Sequence, residues 1–254
     1  MSVIGVISMK GGVGKTSVTA NLAASLGAQL GAGQVFAVDL DPQNGLHWHF
    51  GLCDQEETGV CTQSLQGGNW RDAFLESEFD VACLPYGNVT EPDREAFEQG
   101  LSTAGHWAGE QLGRAGLTDG AVVLLDSPPG PSVYLKQVFD CADLILVVLL
   151  ADAGSYATIP DMETWLDDYA ALRPGLKVFY ILNQVDRSEA LNRDTAAFLR
   201  QQLKHRLCPI DIHTSEEVAE ALAFQQPVRN YDPQGQASED FAKLATWAIN
   251  TLTK

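Results

Sequence analysis

The sequence predicts a doubly wound α/β protein, a mostly parallel sheet flanked by helices on both faces. Three observations lead there. Seven short apolar runs lack in-and-out alternation, the mark of strands buried on both faces and hence of a parallel sheet. Longer amphipathic stretches separate these runs, giving the strand-then-helix alternation of crossover units. The chain has 254 residues, 45% of them hydrophobic, and no repeat, low-complexity tract or linker divides it, so residues 1–254 are expected to form one domain around one large core.

The elements follow in order. "VIGVIS" (3–8) leads through glycines into a helix expected over 15–30, and "QVFAVDL" (34–40) is the second strand. Residues 52–79 are rich in Gly, Gln, Glu and Asp with weak periodicity, which predicts irregular surface structure. "DVACLPYG" (80–87) precedes one long helix over 92–115, and "AVVLLDSPP" (121–129) precedes a helix over 131–141. "DLILVVLLA" (143–151), "KVFYILNQ" (177–184) and "LCPIDIH" (207–213) complete the strands, with helices at 158–173, 188–206 and 215–224. A last helix over 236–252 places Phe241, Leu244, Ala245, Ala248 and Leu252 at helical spacing, the pattern of a helix docked on the core.

A formal net charge of −17 works against sequence-independent binding to nucleic-acid phosphates or anionic lipid. The concentrated basic feature is a stripe of Arg193, Arg200 and Lys204 within about 40° of arc on one helix face. It suits a solvated face and is sparse for DNA. The five cysteines are an odd set without a C-x-x-C pair, so neither a disulfide framework nor a sulfur-rich zinc site is expected. The longest apolar run is far shorter than a membrane span and the N-terminus has no basic leader, so a cytoplasmic protein without direct membrane insertion is expected.

The chemistry is concentrated in "MKGGVGKTS" (9–17), directly behind the first strand. Gly11, Gly12 and Gly14, with Val13 between them, let successive backbone N–H groups face one concavity, and the helix entered through Lys15, Thr16 and Ser17 adds its positive end. That is a cradle for an anion, with Lys15 reaching the β- and γ-phosphates of a nucleotide and the Thr16 hydroxyl ligating Mg²⁺. Asp39 and Asp41 end the second strand in "VDLDPQ", and Asp126 ends another in "VVLLDSPPG". Singly, each aspartate suits a turn cap; three at the sheet edge beside a phosphate loop favour metal and water chemistry. Asn183 follows a buried strand with an amide whose donor and acceptor match an adenine edge. Lys10 precedes the glycines and leaves the cradle on the side away from Lys15.

Met9 stands where the usual phosphate-loop pattern has its first glycine. The match is instead to K-G-G-x-G-K-[ST], and these residues resemble the deviant phosphate loop of the MinD/ParA group of P-loop ATPases. The resemblance runs through the chain in element order. It implies a slow ATPase, dependent on a dimer or a partner, that binds ATP and Mg²⁺ between two protomers. Lys10 would then cross to the partner's phosphates, Asp41 would orient the attacking water, and Asp39 and Asp126 would hold Mg²⁺ through its waters. Asn183 would read adenine, with Ile212, His213 and Thr214 lining the base pocket, mainly through backbone. For His213 a plain loop position competes with that role, and Thr214 with Glu217 also fits a capping box. In "ADAGSYATIP" (151–160), Asp152, Ser155 and Tyr156 face the same sheet edge and are expected dimer contacts. Within the group, "NWRDAF", "LPYG" and "IHTSEEVAEALAFQQPVRNY" look most like the ParA-like proteins of bacterial cellulose-synthesis operons. That implies assistance to assembly or localisation of the membrane cellulose synthase, together with a small BcsR-like accessory subunit. A DNA- or plasmid-partition ATPase, and a scaffold stabilised by ATP with little turnover, are the competing readings.

Overall fold

The computed structural model describes residues 1–53, 58–170 and 173–253. A seven-stranded sheet runs in the order β3-β4-β2-β5-β1-β6-β7. Its strands are β1 (Ser2–Ile7), β2 (Val35–Asp39), β3 (Leu75–Glu76), β4 (Ala82–Leu84), β5 (Val122–Asp126), β6 (Leu144–Leu150) and β7 (Lys177–Asn183). All pairings are parallel except that of β3 with β4. The doubly wound expectation holds, and the reason is visible in the burial: β1, β2 and β5 are almost continuously buried, as strands covered on both faces must be.

One face of the sheet carries α1 (Lys15–Leu30), α9 (Glu216–Ala223), α10 (Val228–Tyr231) and α11 (Gln236–Leu252), packed on Ile4, Val6, Val35 and Ala37. Alanines at 20, 23 and 24 favour the helix and let α1 lie close to the strands. As expected, Phe241, Leu244, Ala245 and Ala248 dock α11 on this core, with Leu252 at its margin. The other face carries α3 (Glu91–Thr103), α4 (Trp107–Ala115), α5 (Val133–Cys141), α7 (Ile159–Ala170) and α8 (Ala190–Leu203), packed on Val3, Ile7, Phe36 and Val38. Two short helices remain, α2 (Val60–Leu65) and α6 (Ala153–Ala157). Among the described residues, no helix is long and apolar enough to cross a membrane.

Three expectations about elements need correction. The run 207–213 is not a strand: it makes two isolated bridges, Leu207 with Tyr180 of β7 and His213 with Val185 just beyond it, and Pro209 between them has no N–H to continue a ladder. The single helix over 92–115 is two, because His106 takes a left-handed φ of 57°. Gln137 spans the break, donating to the Ala104 carbonyl and accepting from the Ala108 N–H. Residues 52–79 hold α2, a short 3-10 turn and the antiparallel β3; 54–57, like 171–172 of the helix expected at 158–173, lie outside the described residues.

Candidate nucleotide site at the sheet edge

The strand order puts β5 between β1 and β2, so three chain segments meet at their C-terminal ends: the glycine loop after β1, the 39–44 turn after β2 and the 126–130 turn after β5. Gly12 and Gly14 hold φ of 76° and 80°, conformations that L side chains avoid. Gly14 is also the N-cap of α1, whose first turn carries no side-chain cap and no acidic residue. Its N–H groups therefore open into a concavity of about 330 Å³ lined by residues 10–17, Asp41, Gln43 and Pro129.

Asp126 organises the floor. It is buried, accepts from Lys15 Nζ at 2.9 Å and from Thr16 Oγ1 at 2.7 Å, and lies 3.0 Å from Thr19 Oγ1. Lys15 Nζ stands 3.7 Å from Asp41 Oδ2. Asp39 pairs in register with Asp126, which sets two buried carboxylates side by side. Burial, reinforced by the neighbouring Asp126 charge, pushes the Asp39 carboxyl up to about 8. Both Asp39 oxygens accept backbone N–H groups, from Asp41 at 2.9 Å and Leu46 at 3.0 Å, so this residue shapes the turn that presents Asp41. Asp41 in turn accepts from the Gln43 N–H at 3.0 Å. Among the described residues, no group of three or more His, Cys, Asp or Glu side chains is arranged to hold a metal. The donor set instead fits Mg²⁺ that arrives with phosphates and needs only a hydroxyl and one or two carboxylates from the protein.

A second pocket of about 320 Å³ shares Gly14 and Ser17 with the first and is walled by Val18, Ile212, Val218, Leu222 and Phe241. Asn183, Ile212, His213 and Thr214 all line it, as the sequence predicts. Each also makes hydrogen bonds within the chain. Asn183 Nδ2 donates to the Val13 carbonyl at 2.8 Å, so the residue braces the glycine loop. The backbone N–H groups of Ile212, His213 and Thr214 are spent on Leu182 O, Asp240 Oδ2 and Val185 O, which leaves none of them to read a base. Thr214 forms no capping box: the N-cap of α9 is Ser215, whose hydroxyl donates to Glu217.

Lys10 leaves the cradle on the far side, and its Nζ lies 2.8 Å from Asp152 Oδ2. Asp152 caps α6 by accepting from the Ser155 N–H at 2.6 Å. Ser155 is corrected as a contact residue: it is fully buried, and its hydroxyl accepts from the Leu150 N–H. Tyr156 is 43% exposed and packs edge-on against Phe198. Of the basic stripe, Arg200 pairs with Asp211 and Arg193 lies 3.8 Å from Asp194, while Lys204 stands beyond the end of α8 with a φ of 48° and so leaves the common helix face.

Sequence reasoning missed Thr19, Asn44 and Asp240. Thr19 stands one turn beyond Thr16 on the same face of α1, so helical spacing could have found it. Asn44 holds a left-handed φ of 50°, and its Oδ1 accepts the Tyr86 N–H at 2.9 Å, tying the turn that bears Asp41 to the loop after β4. Asp240 meets His213 across 27 residues of chain, a pairing no local pattern announces.

A doubly wound sheet with a K-G-G-x-G-K-T loop and an aspartate at the end of each flanking strand is the architecture of the MinD/ParA-type P-loop ATPases. Solved structures of that fold superpose over nearly the whole chain. The septum site-determining protein MinD of Pyrococcus horikoshii, complexed with Mg-ADP, matches with a TM-score of 0.76 at 22% identity, covering 97% of this chain and 95% of its own. Cobyrinic acid a,c-diamide synthase of Mycobacterium smegmatis, with bound ADP and magnesium, matches with a TM-score of 0.80 at 20% identity, covering 100% and 96%. The chain belongs to the BcsQ family: the family model described as "Cellulose biosynthesis protein BcsQ" matches residues 1–249. The cellulose biosynthesis protein BcsQ of Escherichia coli K12 is 30% identical over 258 residues, spanning 98% of this chain and 94% of the relative.

Proposed function

We propose that this protein is an ATP-binding and slowly hydrolysing switch, a single ATPase domain that dimerises around its nucleotides and assists assembly or localisation of the membrane cellulose synthase. The carrying observation is the division of labour between the two lysines. Lys15 points into the cradle among Asp126, Thr16 and Asp41, while Lys10 leaves it and, among the described residues, is paired with the half-exposed carboxylate of Asp152. A lysine so placed is available to a second copy, where it neutralises charge as a phosphoryl group departs. Thr16 would hold Mg²⁺, with Asp126 and Asp39 behind its waters, and the ion would supply positive charge that offsets the charge of the phosphates. Asp41, oriented by Gln43 and the Asp39 turn, aligns the attacking water.

The family description, cellulose biosynthesis, supports a place of action in that process; action at the cellulose synthase, a BcsR-like accessory subunit and a cytoplasmic location complete the proposed reading. The DNA-partition reading draws no support from the basic stripe, since both of its arginines lie beside carboxylates.

Sedimentation with and without Mg·ATP tests the switch. Wild type shifts from monomer toward dimer, and Lys10→Ala keeps nucleotide binding while losing at least about tenfold in dimer affinity, the loss of one charge-assisted contact. A profile unchanged by nucleotide would leave ATP as a structural ligand of a scaffold and sink the switch.

A further inference from the structure

We propose that His213 is the residue by which this chain selects adenine over guanine, its ring Nε2 accepting the exocyclic amine of the base. The inference rests on the nucleotide-site reading above and deepens it. The base pocket joins the phosphate concavity at Gly14 and Ser17, so the two are continuous, as the base and phosphates of one nucleotide require. Within it, the backbone donors at 212, 213 and 214 are all engaged by the protein, and Asn183 is turned by its amide nitrogen toward Val13.

His213 is different because its tautomer is set from behind. Asp240 on α11 is 3% exposed; its Oδ2 lies 2.8 Å from His213 Nδ1 and 3.0 Å from the His213 backbone nitrogen, while its Oδ1 accepts from Gln236 at 2.8 Å. A carboxylate gathering donors on both oxygens takes the Nδ1 hydrogen, which leaves Nε2 as the acceptor of a ring that lines the pocket. Adenine offers an amine at C6, whereas guanine offers a carbonyl oxygen. Acceptor against amine is a hydrogen bond. Acceptor against carbonyl is a repulsion that also leaves two polar atoms unpaired, and sites of this kind reject the wrong partner strongly.

Equilibrium titration of the full chain with fluorescent ATP and GTP analogues in Mg²⁺ tests the assignment. Wild type should prefer the adenine nucleotide, and His213→Phe should cut the ATP-to-GTP affinity ratio by roughly tenfold or more while leaving affinity for inorganic triphosphate unchanged. Asp240→Ala, with the imidazole intact, should also lower the ratio, because the ring is then free to present Nε2–H. Equal binding of the two nucleotides by wild type overturns the assignment, as does a ratio that survives His213→Phe, which would make the Asn183 oxygen the reader. Those results leave the nucleotide site standing, whereas no binding of either nucleotide or of triphosphate refutes the site itself.

Discussion

His49 lies in the 3-10 turn Leu46–Phe50, just beyond the turn that bears Asp41, and is almost wholly removed from water. Burial pulls its imidazolium down to about 4, with the nearby His47 acting in the same direction and Asp126 opposing. The unfolded chain therefore takes up a proton near pH 6.5 that the native state refuses until about pH 4. Stability from this group is complete above pH 6.5 and is lost as pH falls through that window, by on the order of 3 kcal/mol. Urea melts at pH 7.5, 5.5 and 4.5 should show His49→Gln losing less stability on acidification than wild type. Taking the difference between the two proteins cancels the opposite slope from Asp39, whose raised carboxyl favours the folded state as pH falls. A difference constant with pH would refute the buried neutral imidazole. At this scale the phosphate-loop residues and the three aspartates were legible because their types and spacing recur in one chemistry. The pairing of His213 with Asp240 and the bracing of Val13 by Asn183 were not, since each joins residues far apart in sequence.

At the scale of elements, two glycines separate site from scaffold. Gly14 both adopts a left-handed φ and faces Asn183, whose Nδ2 would stand 2.5 Å from an added Cβ. Gly14→Ala should cost about 1–2 kcal/mol from the backbone term and reduce nucleotide affinity by more than tenfold, because the loop can no longer close on phosphates. Gly59, ahead of α2, is extended, but an added Cβ would meet Pro85 O at 2.3 Å and the Tyr86 carbonyl carbon at 2.6 Å. Backbone cannot swing aside, so Gly59→Ala should destabilise by about 1–3 kcal/mol with nucleotide affinity in the native state unchanged. Thermal melts alongside nucleotide titration decide both, and equal effects on affinity would contradict the separation. The strands were readable because burial on both faces leaves an unbroken apolar run. The break at His106 was not, because the buried Gln137 that spans it comes from a distant helix, and the strand at 207–213 was overread because Pro209 has no N–H for a ladder.

The whole molecule presents one edge at which loop, both aspartate turns and Asp152 converge. If Lys10 serves a second copy, it must first leave Asp152. An ion pair this exposed is worth only about 0.2–1 kcal/mol, so the contact biases the equilibrium without locking it. Asp152→Asn keeps an oxygen for the Ser155 N–H and removes the charge. With Mg·ATP it should strengthen dimerisation by a few-fold, read by sedimentation at several protein concentrations; weakened dimerisation would mean that Asp152 itself touches the partner.

The sequence alone determined the class of fold, the phosphate loop and the identity of the charged groups around it, because local spacing dictates how a glycine turn opens and which strand ends carry acids. Tertiary structure decided how those groups are shared: Asp126 with Lys15 and Thr16, Asp39 with the turn that follows it, Asn183 with the glycine loop, Asp240 with His213, Lys10 with Asp152. All of these but the local Asp39 turn depend on strand order and helix docking, which bring donors and acceptors together across as many as 170 residues. Only the folded chain sets which hydrogen bonds are spent within the protein and which remain for a ligand.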